Sequence, residues 1–277
     1  MHPIERLRFI AQADDESARA LAEEAAFTLA ELAVEDAAAV VMAGRRLVER
    51  HPSCGPLWWV CSGLIETDDP YGAAERLSAE LYSDPTPARL ADSLRQRAAA
   101  SDAIAALLPA EVLVEALERR GAGELRVIGC HRSLGSAMRA LGRHVDEIVG
   151  YEFDESESAL SGAALLVVEV CLAGKAGVVV GSECAAAIEL AGRLGVPAVA
   201  VAGTGRVLSS PLPETAVQLA RGELVLVDPG DFACLVGEDG SEDPAAALSR
   251  PAPGCPALAR GVRKGGSERM RAPGRPR

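Results

Sequence analysis

GAALLVVEVCLAGKAGVVVGSECAAAIELAGRLGVPAVAVAGTGRVL, residues 162–208, is the stretch whose reading decides the fold class. Two apolar runs, 164–172 and 177–180, lead into an alanine-rich helical stretch at 183–194. After Gly195-Val196-Pro197 a third run follows at 198–202. Short apolar runs bounded by glycine and proline read as strands buried on both faces, and strands alternating with helices read as a parallel sheet covered on each side. The alternation extends outward in both directions. Strands are expected at 125–130, 147–151 and 224–227, and helices at 134–143 and 214–221. Ligands of such a sheet are expected beyond the carboxyl ends of its strands.

Upstream the period is helical. Over 16–50, Leu21, Ala25, Leu29, Leu32 and Ala33 form one stripe on a 3.6-residue repeat, and His51-Pro52-Ser53 stops it. A second helix is expected at 72–82 and a third pattern at 88–120, kinked at Pro109 and ended by Gly121-Ala122-Gly123. Downstream of Gly237 no apolar period persists, and Pro, Gly, Ser and Arg dominate. The expected organisation is therefore an amino-terminal helical domain at 1–120, an α/β parallel-sheet domain at 121–237, and a disordered Pro/Gly/Arg-rich tail at 238–277.

Composition narrows the partners. The 277 residues carry 40 acids against 28 lysines and arginines, a net charge of −12, which argues against a general binder of nucleic acid or of an anionic membrane. Small-molecule or protein partners are left. Only 3% of the chain is aromatic, so the core is built from Ala, Val and Leu. Nearly all the basic residues are arginine, which reads as the codon bias of a GC-rich bacterium. Arg260, Arg263, Lys264, Arg269, Arg271, Arg275 and Arg277 crowd the end of the chain against Glu268. The 7 cysteines are an odd number with no C-x-x-C pair, so neither a disulfide framework nor a zinc ribbon is expected, and no metal or cofactor motif stands out. With no apolar leader and no run long enough to cross a bilayer, the expectation is a cytoplasmic protein.

RVIGCHRSLGSAMRALG, residues 126–142, places a polar turn between a buried strand and a helix. Free N–H groups at such a helix start, with Arg132 and the Ser133 and Ser136 hydroxyls, suit a phosphate. The plainer role for Ser133 is a helix cap. The segment His131-Arg132-Ser133-Leu134-Gly135 also touches the hydrolase pattern G-x-S-x-G, with His131 where that strained turn needs glycine. In the 162–208 stretch, Glu169 is an acid inside an apolar strand, costly unless it is paired or has work near the strand end. Gly181-Ser182 puts a second hydroxyl and bare amides at a helix start. Lys175 reads as an exposed turn residue, and Arg206 either as a surface charge or as a group facing the strand-end crevice.

The order of a serine-bearing turn, an acidic strand, a glycine turn, Gly-Ser, an alanine-rich helix and Gly-Val-Pro resembles the initiation factor 2B alpha/beta/delta family. That family also includes methylthioribose-1-phosphate and ribose-1,5-bisphosphate isomerases. The resemblance runs over 88–208, is strongest at 181–202, and extends loosely to HPSCGPLWWV at 51–60. It implies a helical domain followed by a Rossmann-like domain, in a homodimer. The isomerases take a catalytic cysteine from a Thr-His-Cys-Asn turn; the matching residues here are Gly129-Cys130-His131-Arg132, which puts His131 at the cysteine position. Their catalytic aspartate corresponds most nearly to Glu169, one residue displaced, and their Asn-Lys is replaced by Val178-Val179. The anion-binding skeleton, Ser133 with Gly181-Ser182, survives.

The expected function is thus an initiation factor 2B-like, non-catalytic or regulatory binder of a phosphorylated metabolite or nucleotide. Two alternatives stay open: a sugar-phosphate isomerase using His131 and Glu169, and a serine hydrolase using Ser133.

Overall fold

Asp36 splits the first expected helix in two. Its backbone is extended, and its carboxylate accepts the N–H groups of Ala38 and Ala39, so one helix ends and the next is capped at the same residue. A computed structural model of the chain describes residues 2–13, 17–108, 110–120 and 122–260. The amino-terminal helices are α1 (Pro3–Ile10), α2 (Ala18–Glu35), α3 (Ala37–Arg50), α4 (Gly55–Ile65) and α5 (Pro70–Tyr82). α4 is apolar on all sides, with every residue from 55 to 62 buried, and it packs against α2, α3 and α5 as the centre of this bundle.

The chain continues through α6 (Thr86–Arg97), β1 (Ala103–Leu107), α7 (Glu111–Arg120), β2 (Ala122–Ile128), α8 (His131–Leu141) and β3 (Val145–Tyr151). α9 (Ser156–Leu160), β4 (Leu165–Glu169), β5 (Leu172–Gly174), β6 (Gly177–Gly181), α10 (Ser182–Leu194) and β7 (Ala198–Val201) follow. α11 (Leu212–Leu219), β8 (Leu224–Val227), β9 (Cys234–Gly237), β10 (Gly240–Glu242) and α12 (Pro244–Leu248) complete the order.

The fold is α/β. Seven strands form one sheet in the order β10-β9-β7-β4-β1-β2-β3, parallel throughout except for β10. From β1 the chain winds outward to β2 and β3, then returns to the other side of β1 for β4, β7 and β9. The winding therefore reverses between β1 and β4. Core residues of α6, α7 and α8 cover one face of the sheet and those of α9, α10 and α12 the other, while the amino-terminal helices form a third core with α11.

Three expectations change. The pattern at 88–120 is not one kinked helix but α6, β1 and α7. β1 is the central strand, and its sequence AIAAL carries no helix-breaking signal of its own; pairing with β2 and β4 makes it a strand. The runs at 177–180 and 224–227 do not join the parallel sheet. They form a second, antiparallel sheet in the order β5-β6-β8. The reason is local: Gly174 pairs with Gly177, leaving Lys175-Ala176 as a two-residue turn, and so short a link admits only antiparallel strands. Gly177 has φ +145°, and a Cβ there would lie 2.8 Å from the Val227 carbonyl oxygen.

Third, the tail expected to be disordered from 238 is built into the fold as far as Arg260. β10 pairs with β9, α12 packs over the sheet, and Leu258 is buried against α3 beside Gly44. Arg45 Nε donates to the Ala257 carbonyl at 2.9 Å. A few apolar residues, Leu248, Cys255 and Leu258, provide the burial that the composition concealed. Residues 261–277 lie outside the described residues. Leu258→Ala is expected to cost roughly 2–4 kcal/mol, as for other buried leucines; a urea midpoint unchanged by the substitution would mean that this segment is not held.

Candidate functional site

The carboxyl end of β4 lies where the winding reverses, the position at which open α/β sheets gather ligands. Its last residue is Glu169. Alternation along β4 turns Glu169 toward the same face as Leu165 and Val167, the face covered by α7. There its Oε1 accepts the Leu113 N–H at 2.9 Å, satisfying one of the free donors of the first turn of α7. Oε2 is buried and has no hydrogen-bond partner.

Arg206, from the loop after β7, packs beside Glu169 and is buried. Its Nη1 donates to the Val170 carbonyl at 2.7 Å, and its Nη2 stops 4.0 Å from Glu169 Oε2. The two charges attract but share no hydrogen bond. Burial pushes the Glu169 carboxyl up to about 7, against the pull of Arg206 and of the Leu113 and Val112 N–H groups, with Glu111 adding to the rise. Arg206 is therefore a buried residue at the strand ends and not a surface charge.

The start of α4 closes over this pair. A Cβ on Gly55 would lie 2.5 Å from the Cys171 carbonyl oxygen and 3.1 Å from Arg206 Cα, so only glycine fits. Polar ties hold the seam around it. Glu111 accepts the Ala18 N–H at 3.2 Å, Arg19 pairs with Glu115 at 3.1 Å, and Asp84 accepts the Thr204 N–H at 3.1 Å. The thiols near the seam are not poised as nucleophiles. Burial pushes Cys54 and Cys184 up to about 12 and raises Cys171.

The turn after β2 is arranged differently from the expectation. His131 opens α8 with its side chain 92% exposed, and its Nδ1 lies 3.1 Å from Glu152 Oε1, just past β3. It thus leans toward the edge of the sheet, away from Glu169. The strands β3 and β4 are three spacings apart, about 14 Å, so His131 and Glu169 do not face one another. Arg132 is exposed. The Ser133 hydroxyl donates to the Cys130 carbonyl and the Ser136 hydroxyl to that of Ser133, both at 3.0 Å. Ser133 has no bond to His131, and the pair that a serine nucleophile requires is not formed.

The group at the head of α8 is instead Cys130, which is exposed. The Ser133 hydroxyl, 3.2 Å from its sulfur, lowers its pKa, with help from the Ser133 and Arg132 N–H groups. The sequence reading passed over this thiol because it aligned the neighbouring position with the family's cysteine. A cysteine directly before a helix start was the available signal.

Gly181-Ser182 lies at the end of β6, in the second sheet, so it is not on a strand beside β2. Its amide is not bare either: the Ser182 N–H donates to the Glu223 carbonyl at 3.0 Å. The start of α10 nevertheless approaches the end of β1, where Cys184 Sγ is 3.9 Å from the Leu108 carbonyl oxygen.

A cleft of about 360 Å³ opens beyond β7 and β9, lined by Gly203, Gly205, Gly237 and Trp59. Glu80, Glu238, Asp239 and Glu242 stand around it against Arg250, which pairs with Asp239 at 3.0 Å and also with Glu242. This acid excess disfavours a phosphate there. Among the described residues, no helix is long and apolar enough to cross a membrane.

No family model and no curated protein matches the chain. Solved structures do. The Pyrococcus horikoshii OT3 translation initiation factor eIF-2B superposes with TM-score 0.70 at 15% identity, over 89% of this chain and 98% of that one. The tetrameric eIF2B beta2-delta2 complex from C. thermophilum gives 0.69 at 11% identity, over 89% and 93%. The 5-methylthioribose 1-phosphate isomerase of P. horikoshii OT3 gives 0.60 at 15% identity, over 88% and 85%. With its reversal point between β1 and β4 and its helical bundle closing over that point, the chain has the fold shared by initiation factor 2B subunits and methylthioribose 1-phosphate isomerase.

Proposed function

We propose that this protein is an initiation factor 2B-like, non-catalytic binder of a phosphorylated metabolite or nucleotide, with Arg206 as the anion-binding group of the crevice between the helical bundle and the sheet. One observation carries the reading. A buried guanidinium with only its Nη1 engaged at full hydrogen-bond distance sits at the strand ends, while the two candidate acid–base groups, His131 and Glu169, point to different parts of the molecule. Ser133 and Ser136 at the head of α8, and Ser182 at the head of α10, stay candidate anion contacts of their own helix starts and not of Arg206, since β2 and β7 are three strand spacings apart in the sheet. The protein is taken to act as a cytoplasmic homodimer, with the free edge of β8 and its exposed Leu226 as one available contact.

A thermal-shift screen of aldose phosphates and nucleoside phosphates tests this, because a ligand bound only by the folded state raises its apparent stability. Arg206→Gln is expected to weaken the responding ligand about ten- to hundredfold, the loss of a hydrogen bond to a charged group. Unchanged affinity in that variant would place the anion elsewhere.

The isomerase reading has its own support in Cys130, an exposed thiol with a lowered pKa, and in Glu169, which holds its proton near neutrality. Conversion of an aldose phosphate to its ketose, abolished by Cys130→Ser, would replace the non-catalytic reading with this one.

A further inference from the structure

We propose that the cleft beyond β7 and β9 is the docking site of the chain's own arginine-rich segment, residues 261–277, and that Arg269 and Arg271 seat there against its carboxylates. This is independent of the phosphate reading and concerns a different opening of the molecule.

The cleft has the room and the charge for such an occupant. It measures about 360 Å³ and lies past the carboxyl ends of two neighbouring parallel strands, where sheets of this kind take ligands. The buried Trp59 and half-buried Val207 form its floor, and the exposed Glu80, Glu238 and Asp239 stand at its rim beside Glu242. Arg250 answers two of these acids, pairing with Asp239 at 3.0 Å and also with Glu242. Glu80 has Arg76 3.9 Å away, one turn back on α5, and Glu238 pairs with no cation among the described residues. An apolar floor under a carboxylate rim matches arginine, whose stem lies along apolar surface while its planar head takes up carboxylates through paired hydrogen bonds.

The segment supplies that chemistry and is within reach. Residues 261–277 carry Arg263, Lys264, Arg269, Arg271, Arg275 and Arg277 against the single acid Glu268, in a chain whose net charge is −12. Pro253 lines the cleft, and the seven residues from there to Arg260 can separate the two by at most about 25 Å. Arg269 lies nine residues beyond Arg260, a span of up to about 30 Å, and Arg271 lies further still. The tether therefore covers the return to the cleft for these two, whereas Arg263, three residues on, reaches only about 10 Å. Tethering also concentrates the occupant: a segment on a short linker meets its site at about millimolar effective concentration, so individually weak contacts fill it. A second molecule's segment or a free polyamine has to reach that level in solution.

Cross-linking in the full-length protein tests the docking. Lys175 and Lys264 are the chain's two lysines, so Arg271→Lys introduces an amine whose carbodiimide cross-links to carboxylates are readily assigned by mass spectrometry. Cross-links from position 271 to Glu80, Glu238, Asp239 or Glu242 of the same chain are expected. Their yield should fall about fivefold or more between about 0.1 M and about 1 M salt, as the screening length shrinks from about 10 Å to about 3 Å. Proteolysis gives a second readout without altering the segment. Trypsin should cut after Arg269 and Arg271 about tenfold more slowly in the parent than in Glu80→Gln/Glu238→Gln, which removes the two acids that Arg250 leaves free. Both acids are exposed, so the fold is expected to survive their replacement.

Absence of cross-links to the cleft acids, cross-links spread over exposed acids across the molecule, cross-links formed only between two chains, or equal tryptic cleavage in the parent and the double variant would each overturn the docking. None of these outcomes bears on the phosphate reading, which the ligand screen judges separately.

Discussion

Glu169→Gln is expected to stabilise the protein at pH 8 by about 3 kcal/mol while leaving it nearly unchanged at pH 4. The carboxyl rises from 4.5 to about 7 on folding because burial penalises its charge. Between those values the folded chain holds a proton that the unfolded chain has released, so stability falls as pH rises through the interval. Below 4.5 both states are protonated and nothing is lost. Glutamine reproduces the protonated acid at every pH and can still accept the Leu113 N–H. Urea unfolding of both proteins at pH 4 and pH 8 checks this. A parent whose stability does not fall between them relative to the variant would show that Glu169 ionises freely in the folded state.

Trp58→Ala is expected to cost about 3–5 kcal/mol, the range for truncating a buried aromatic. Trp58 is fully buried in α4, and its Nε1 donates to the Pro52 carbonyl at 3.1 Å. Removing it leaves a cavity in the centre of the helical bundle and an acceptor without its donor. The consequence for the site is indirect. Pro52 and Trp58 brace the turn that presents Gly55 to Arg206, so the thermal shift produced by the responding phosphorylated ligand should shrink as well. A loss below about 1 kcal/mol would mean that the bundle collapses onto the gap, and that α4 is not the brace described.

Several parts of the fold were legible because they are written in local patterns. The runs at 165–168 and 198–201 are apolar on every residue, which suits strands covered on both faces, and they lie in β4 and β7. The stretch at 183–194 has alanine, leucine and a terminal glycine, and it is α10, ended by Gly195 in the left-handed conformation. Glu169 stood out for the same kind of reason, since an acid in an apolar strand asks for an explanation. The turn at Lys175-Ala176 was legible too, and its two residues between strands already exclude the parallel pairing expected of 177–180.

The sequence by itself determined the α/β class, the alternation that makes the main sheet parallel, and the presence of an acid at a strand end of that sheet. Tertiary structure decided the rest. AIAAL at 103–107 becomes the central strand only because β2 and β4 lie on either side of it; its own residues favour a helix at least as well. Residues 238–260 are held in part by contacts with distant partners, such as Ser209 with Gly254, 45 positions apart, and Arg45 with Ala257, 212 apart, which no composition window registers. Arg206 meets Glu169 for the same reason: β7 pairs beside β4, so the loop after one strand overhangs the end of the other. His131 turns to Glu152 because β3, paired beside β2, ends next to it. Periodicity and propensity act over a few residues and select the type of element. The site is made by charges brought together from distant segments, and their burial, which sets the proton affinity of Glu169, exists only once the helical bundle has closed over the sheet.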